Sequence, residues 1–271
     1  MDVRRSERLI RVTKNLLDQP NRALSLSELA ERLEAAKSSL SEDVALVRSV
    51  LERDGSGVVW SIAGAAGGVK YQVRVPPAQR EAFLQAIVAR LSDPSRILPG
   101  GFLYMSDVLG DPDVLDLAGR LFAEAFADRE IQVVVTVETK GIPLAVSAAR
   151  YLHVPVAVVR RDHRVTEGAS VSIHYISGSE RRIQTMSMSK RAMPQRARAL
   201  VVDDFMKAGA TAKGVVNLLA EFEAQVAGVA VFVATQEPAE KLVPEYVSLF
   251  TLGPLQEGEG VILTPALPVH S

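Results

Sequence analysis

The 271-residue sequence contains no cysteine, which excludes a disulfide framework and any thiolate metal site. Aromatic residues make up only 5%, with a single tryptophan, so its cores must be filled by aliphatic side chains. No apolar run approaches the ~20 residues needed to cross a bilayer. The opening residues, MDVRRSERLIRV, are charged and lack the apolar stretch of a secretion signal. A cytoplasmic protein without membrane attachment is expected. The four histidines, His153, His163, His174 and His270, show no paired ligand spacing, so no structural metal is expected either. Excess charge is also missing: 31 Lys and Arg face 32 Asp and Glu. Bulk charge therefore cannot hold this chain on nucleic acid, and any such binding must come from local pattern.

What is present divides at Val75-Pro76-Pro77. Consecutive prolines mark a linker or the first turn of a new helix, so residues 1–74 and 75–271 are read as two domains. The first carries 12 basic and 10 acidic residues, a slight local excess. Its pattern is three helices and a hairpin. Helical spacing runs from Arg4 to Leu17. Ser25, with Glu28 three residues on, caps a short helix through Leu33. A third helix runs from about Ser38 to Arg53, burying Leu40, Val44, Val47, Val50 and Leu51, and Asp54-Gly55 closes it. Val58–Ile62 and Val69–Val73 read as strands joined by the glycine-rich Gly64–Gly68.

This is the pattern of a winged helix-turn-helix. Ala30 is small enough for two helices to approach closely, and the next helix opens with Lys37, Ser38, Ser39 and Ser41, groups able to reach phosphates and base edges. A packing module with a serine cap would share the helices, but not the hairpin. Arg4, Arg5, Lys37, Ser38, Ser39, Ser41 and Lys70 are the candidate contacts to double-stranded DNA.

Beyond the prolines, helices at Ala78–Leu91, Pro112–Ala127, Ile142–Leu152 and Thr211–Phe222 alternate with strand candidates. The strands are Gln132–Val137, Val154–Val159, Val171–Ile176, Ile183–Met188, Leu200–Asp203, Val229–Ala234 and Tyr246–Leu249. Continuous apolar strands such as Val133-Val134-Val135 predict a mainly parallel sheet covered on both faces. The fold class is α/β, doubly wound, with its ligand at the C-terminal strand ends.

The most specific string runs from Leu200 to Thr211: a buried strand, the carboxylates Asp203 and Asp204, then Phe205, Met206, Lys207, Ala208, Gly209, Ala210 and Thr211. Two carboxylates at a strand tip suit the hydroxyls of a ribose, and the small-residue loop opening a helix suits a phosphate. The string resembles the phosphoribosyl-pyrophosphate motif of type I phosphoribosyltransferases. That likeness places a pyrophosphate loop at Thr139-Lys140-Gly141 and basic contacts at Arg160-Arg161. Arg164, Arg181, Arg182, Lys190, Arg191, Arg196 and Arg198 follow, serving ligand, DNA or solvent. One departure is Ala210, where the motif ordinarily has glycine. A methyl there would crowd the phosphate if that position needed positive φ.

With the winged helix, and with Gly101-Phe102-Leu103-Tyr104, Thr139–Ala145 and Asp203–Gly209, the whole chain resembles the purine operon repressors of Gram-positive-type bacteria. That resemblance implies a homodimer that binds operators of purine biosynthesis and transport genes. It further implies release by phosphoribosyl pyrophosphate (PRPP), with magnesium carried by the ligand, and guanosine tetraphosphate (ppGpp) as a competing corepressor. Phe102 and Phe205 are the aromatics suited to stack on a guanine. No catalysis is expected, because no base-binding insertion is visible. The rival is an active purine phosphoribosyltransferase with an accessory N-terminal domain; an RNA-binding attenuator of the same fold is disfavoured by the winged helix.

Overall fold

The computed structural model describes residues 4–64, 67–99, 102–162, 168–176, 183–243, 245–255 and 260–267. The middle of the wing, Gly101, His163, Arg164, Arg181, Arg182 and His270 lie outside the described residues.

The N-terminal part is α1 (Arg5–Asp18), α2 (Leu26–Arg32), α3 (Lys37–Arg53) and the hairpin β2 (Gly57–Ile62) and β3 (Gly68–Val73). Ser25 caps α2, its Oγ accepting from the Glu28 N–H at 3.3 Å. Gly55 closes α3 with φ +67°. A two-residue strand, β1 (Leu24–Ser25), pairs with β3 and widens the hairpin to three strands. Two residues carry no readable period. Gly68 permits the pairing, since a Cβ there would lie 2.4 Å from the Leu24 carbonyl oxygen.

The buried stripe of α3 differs from expectation at one position. Leu40, Val44, Val47 and Leu51 are inside, but Val50 is 42% exposed and the fully buried partner at that edge is Asp43. Val50 stands at the margin of the stripe, where packing ends. Asp43 is tolerated there because Arg8 and Arg5 of α1 face its carboxylate.

Pro76 and Pro77 turn out to open a helix rather than a free linker: Pro77 is the first residue of α4 (Pro77–Leu91), and Val75 is buried. After a short hairpin, β4 (Ile97–Leu98) with β5 (Phe102–Leu103), come α5 (Pro112–Ala125), β6 (Val133–Val137), α6 (Gly141–Leu152) and β7 (Val156–Val159). Then follow β8 (Ser170–Ile176), β9 (Ile183–Ser189), β10 (Arg198–Met206), α7 (Ala210–Ala220), β11 (Gln225–Thr235), β12 (Val247–Leu252) and β13 (Leu263–Pro265).

The main sheet has order β13-β12-β11-β10-β6-β7, parallel throughout except for the edge strand β13. Alternate residues of each central strand feed two apolar layers. Leu200 and Val202 pack towards α4, α5 and α6, while Ala199 and Val201 pack towards α7 and the methionines of β9. Strands β8 and β9 do not join this sheet. They form a separate antiparallel hairpin, joined to the end of β7 by an Arg160–Ser187 bridge.

The first apolar layer continues without a break into the N-terminal helices, taking in Val12, Leu16 and Leu40. Polar contacts cross the same junction. The Asn21 side-chain amide donates to the Leu152 carbonyl oxygen at 2.8 Å, supplying one of the orphan acceptors at the end of α6. Glu124 of α5 accepts from the Val75 N–H at 3.2 Å and from Arg80 at 2.9 Å.

Candidate functional site

Two surfaces carry the candidate residues. On the first, α3 starts at Lys37 behind Ala36, whose side chain offers no cap, so the first-turn N–H groups lack a side-chain partner. Lys37, Ser38 and Ser41 are exposed and Ser39 partly so. The Ser41 hydroxyl donates back to the Lys37 carbonyl at 3.0 Å, leaving its lone pairs free to accept. Lys70 lies on β3 opposite Trp60 of β2, and Arg4 and Arg5 are exposed at the start of α1. Arg5 is brought to α3 through Asp43; Lys70 belongs to the hairpin that packs against the same helix.

The second surface is a cavity of about 300 Å³ at the C-terminal end of the parallel strands. Its floor is Asp203, Phe205 and Met206 of β10, the loop Lys207-Ala208-Gly209, and Ala210 and Thr211 of α7. Strand β10 runs three residues past its expected end at Asp203, because the eleven-residue β11 supplies partners as far as Met206. Phe205 therefore sits on a strand rather than in a loop.

The positive φ of the turn falls on Gly209, at +83°, and Ala210 is already helical. The methyl of Ala210 consequently brings no backbone strain. Helix α7 then presents its first-turn N–H groups and positive dipole end to the cavity.

Lys140 and Asp204 line a larger neighbouring cavity of about 1060 Å³, which shares Phe102, Phe205 and Lys207 with the first. Gly141 opens α6 directly against Asp203; a Cβ there would lie 2.5 Å from Thr136 Oγ1 and 3.1 Å from Asp203 Oδ1. Thr139 stands on the turn before α6 and lines neither cavity.

Arg160 is placed differently from expectation. Its guanidinium donates to Glu138 Oε2 at 3.0 Å, while the Arg161 N–H donates to Oε1 of the same carboxylate at 3.0 Å. Of the two arginines Arg161 is the one that lines the cavity, with Tyr175 and Gln184 from the β8–β9 hairpin beside it. Tyr175 and Gln184 were not anticipated, because their own stretch of sequence reads only as strand. Only the tyrosine hydroxyl, which donates to Gln184 Oε1 at 2.7 Å, hints at a polar edge.

The carboxyl of Asp203 is enclosed by protein atoms although part of the residue meets the cleft. Burial, and then the negative charge of Asp204, push its pKa well above the usual carboxylate range. The Asp204 N–H, donating to Asp203 Oδ1 at 2.9 Å, and the nearby Arg161 work against that rise.

Phe102, 64% exposed, stands on the β4–β5 hairpin over both cavities. The hairpin is anchored from outside. Asp107 accepts from Arg96 at 2.8 and 2.9 Å and from Arg90 at 3.3 Å. These hydrogen bonds, Arg96 first, hold the Asp107 carboxyl far below its usual range. The anchor's contribution is therefore fully present above the ordinary carboxylate range and is lost as pH falls below that range through the lowered value. Asp107→Asn should speed hydrogen exchange at the Tyr104 amide, which donates to the Arg96 carbonyl at 2.8 Å, by about threefold at neutral pH. Equal exchange in parent and variant would show that Asp107 does not hold the hairpin.

Residues 4–73 match the family described as bacterial purine repressor, N-terminal, and residues 105–258 match the phosphoribosyl transferase domain. The chain is 51% identical over 259 residues to the purine biosynthesis transcriptional repressor PurR of Bacillus subtilis, covering 96% of this chain and 91% of that protein. It is 41% identical over 247 residues to the purine biosynthesis transcriptional activator PurR of Lactococcus lactis, covering 91% of each. Among solved structures, the adenine phosphoribosyltransferase of Rhodothermus marinus superposes with TM-score 0.55 at 23% identity, over 64% of this chain and 99% of that one. At that identity the likeness concerns the fold alone. The residues that close α7 around a cavity and open α3 to solvent thus lie within two matched domains, and the chain belongs to the bacterial purine-repressor family of transcriptional regulators, an N-terminal DNA-binding domain joined to a phosphoribosyltransferase fold.

Proposed function

We propose that this chain represses purine biosynthesis and transport genes, with residues 1–74 holding operator DNA and residues 75–271 binding a phosphoribosylated effector. The observation that carries the reading is the convergence at one strand end of Asp203, the positive-φ turn at Gly209 and the start of α7. A ribose diol can donate to the carboxylate while its 5′-phosphate meets the α7 N–H groups. PRPP has both parts, and its pyrophosphate faces the Lys140 turn and Arg161. ppGpp competes for the same site, its guanine between Phe102 and Phe205.

Among the described residues no group of three acidic or histidine side chains could hold a metal by itself. Magnesium would be held mainly by the ligand's phosphate oxygens, with Asp203 and Asp204 as the carboxylates of this strand able to approach it. Repression rather than activation is favoured by the higher identity to the relative named a repressor. The chain acts as a homodimer, which light scattering tests directly.

The decisive experiment is a titration on DNA from upstream of a purine operon, at fixed salt, with and without PRPP and magnesium. Tight binding that PRPP relieves, and that is restored by ppGpp, is the expected result. Failure to bind DNA, together with pyrophosphate release on addition of a purine base, would instead identify an active transferase with an accessory N-terminal domain.

A further inference from the structure

Asp43 lies on α3, six residues after Lys37, within the apolar stripe of Leu40, Val44 and Val47. It is fully buried, and two cations of α1 reach it. Arg8 donates from Nε to Oδ2, and its side chain is only 13% exposed. Arg5 is different. Its Nε stands 3.5 Å from Oδ1 as an ion pair, Oδ1 itself accepts no hydrogen bond, and the Arg5 side chain is 63% exposed.

Stability alone is a poor reason for a buried carboxylate at a helix contact, since an apolar residue of similar volume commonly serves as well. What the arrangement does provide is orientation. A guanidinium presents its N–H groups in a rigid fork, so anchoring the inner nitrogen directs the outer ones. Here Nε is the Arg5 nitrogen paired with Asp43, and most of the side chain is exposed. The anchor sits ~9 Å along the helix axis from Lys37, on the helix that meets DNA.

We propose that Asp43 is a positioning residue for DNA binding: it holds Arg5 by Nε so that the outer N–H groups meet a DNA phosphate beside the start of α3. This rests on the reading of α3 as the DNA-contacting helix. Arg8 completes the anchor from the inside and makes no DNA contact.

The test uses the full chain and a duplex from upstream of a purine operon, titrated over a range of salt. Arg5→Ala and Asp43→Asn are each expected to weaken binding about tenfold. Each should also reduce the magnitude of the slope of log affinity against log salt by about one, the signature of one lost phosphate contact. The double variant should bind no more weakly than either single one. Multiplicative losses, or an Asp43→Asn chain with weaker binding but an unchanged slope, would reduce Asp43 to a structural role and overturn the proposal.

Arg5→Lys supplies an arm that does not depend on the folding of an Asp43 variant. Lysine keeps the charge but has one terminal nitrogen, so it cannot hold Asp43 and a phosphate along separate edges. It should lose most of the tenfold; binding equal to the parent would also overturn the proposal. A parent chain that fails to bind DNA at all would defeat the reading of α3 itself, a different outcome from parental binding with insensitive variants.

Discussion

An Asp203→Asn chain is expected to bind operator DNA as the parent does and to remain bound when PRPP and magnesium are added. Under the proposed ligand role, Asp203 accepts charge-assisted hydrogen bonds from the ribose, and a neutral amide offers one acceptor in place of two. The expected loss in effector affinity is roughly 10- to 100-fold. Calorimetric titration of the effector, alongside DNA release, reads both quantities. Normal release from the variant would remove Asp203 from the ligand site.

The same substitution should stabilise the fold, which separates this account from simple damage. The Asp203 pKa is raised by burial and by Asp204, so the unfolded chain ionises this carboxyl more readily than the folded one. Its contribution to stability is therefore fully present below the ordinary carboxylate range and declines as pH rises towards the raised value. Asparagine removes that decline. Thermal unfolding should give Asp203→Asn a higher Tm than the parent at neutral pH, the difference vanishing below about pH 3. A stabilised chain that no longer responds to its effector is the outcome expected of a site that keeps a carboxylate buried at a cost to stability.

The second large effect concerns the contact of α5 with α6. A Cβ on Gly119 would lie 2.1 Å from Ser147 Oγ, 2.6 Å from Ser147 Cβ and 2.7 Å from the Ser147 carbonyl carbon. No rotamer change relieves a clash with backbone, so the helices must separate. Gly119→Val should destabilise the chain by ~3–5 kcal/mol, lowering Tm by roughly 10 °C. Adding Ser147→Gly removes the two side-chain atoms but leaves the carbonyl carbon, so it should recover only part of the loss. Full recovery, or a Tm near the parent's, would show that the two helices part without cost. Because α6 begins beside Asp203 and ends on Asn21, the variant should also weaken effector response in whatever fraction remains folded.

Much of this molecule is legible along the chain because it depends on near neighbours. The Ser25 cap and Glu28 are three residues apart, and Gly55 closes the helix it follows. The alternation of Ala199, Leu200, Val201 and Val202 between two apolar layers needs no information beyond strand geometry. The segment from Asp203 to Thr211 is likewise continuous, so its strand, turn and helix could be expected together. Its end could not: β10 continues to Met206 because β11 lies alongside it, and β11 starts almost 20 residues later.

The features that escaped the sequence all join distant positions. Asp43 looks like a break in an apolar stripe until Arg8, 35 residues away, is folded against it. Arg160 and Arg161 are equivalent as text; Glu138, one strand earlier, engages the guanidinium of the first and only the N–H of the second. The β8–β9 hairpin reads as two more strands of the sheet, yet it packs apart from it and puts Tyr175 and Gln184 at the cavity. By itself, then, the sequence determined the family, the element types and the strand–turn–helix segment that floors the cavity, since these rest on local periodicity, capping and turn chemistry. Only the tertiary structure decided which charges are spent on one another and which are left facing a cleft, because pairing between side chains depends on approach in space, to which spacing along the chain gives no measure.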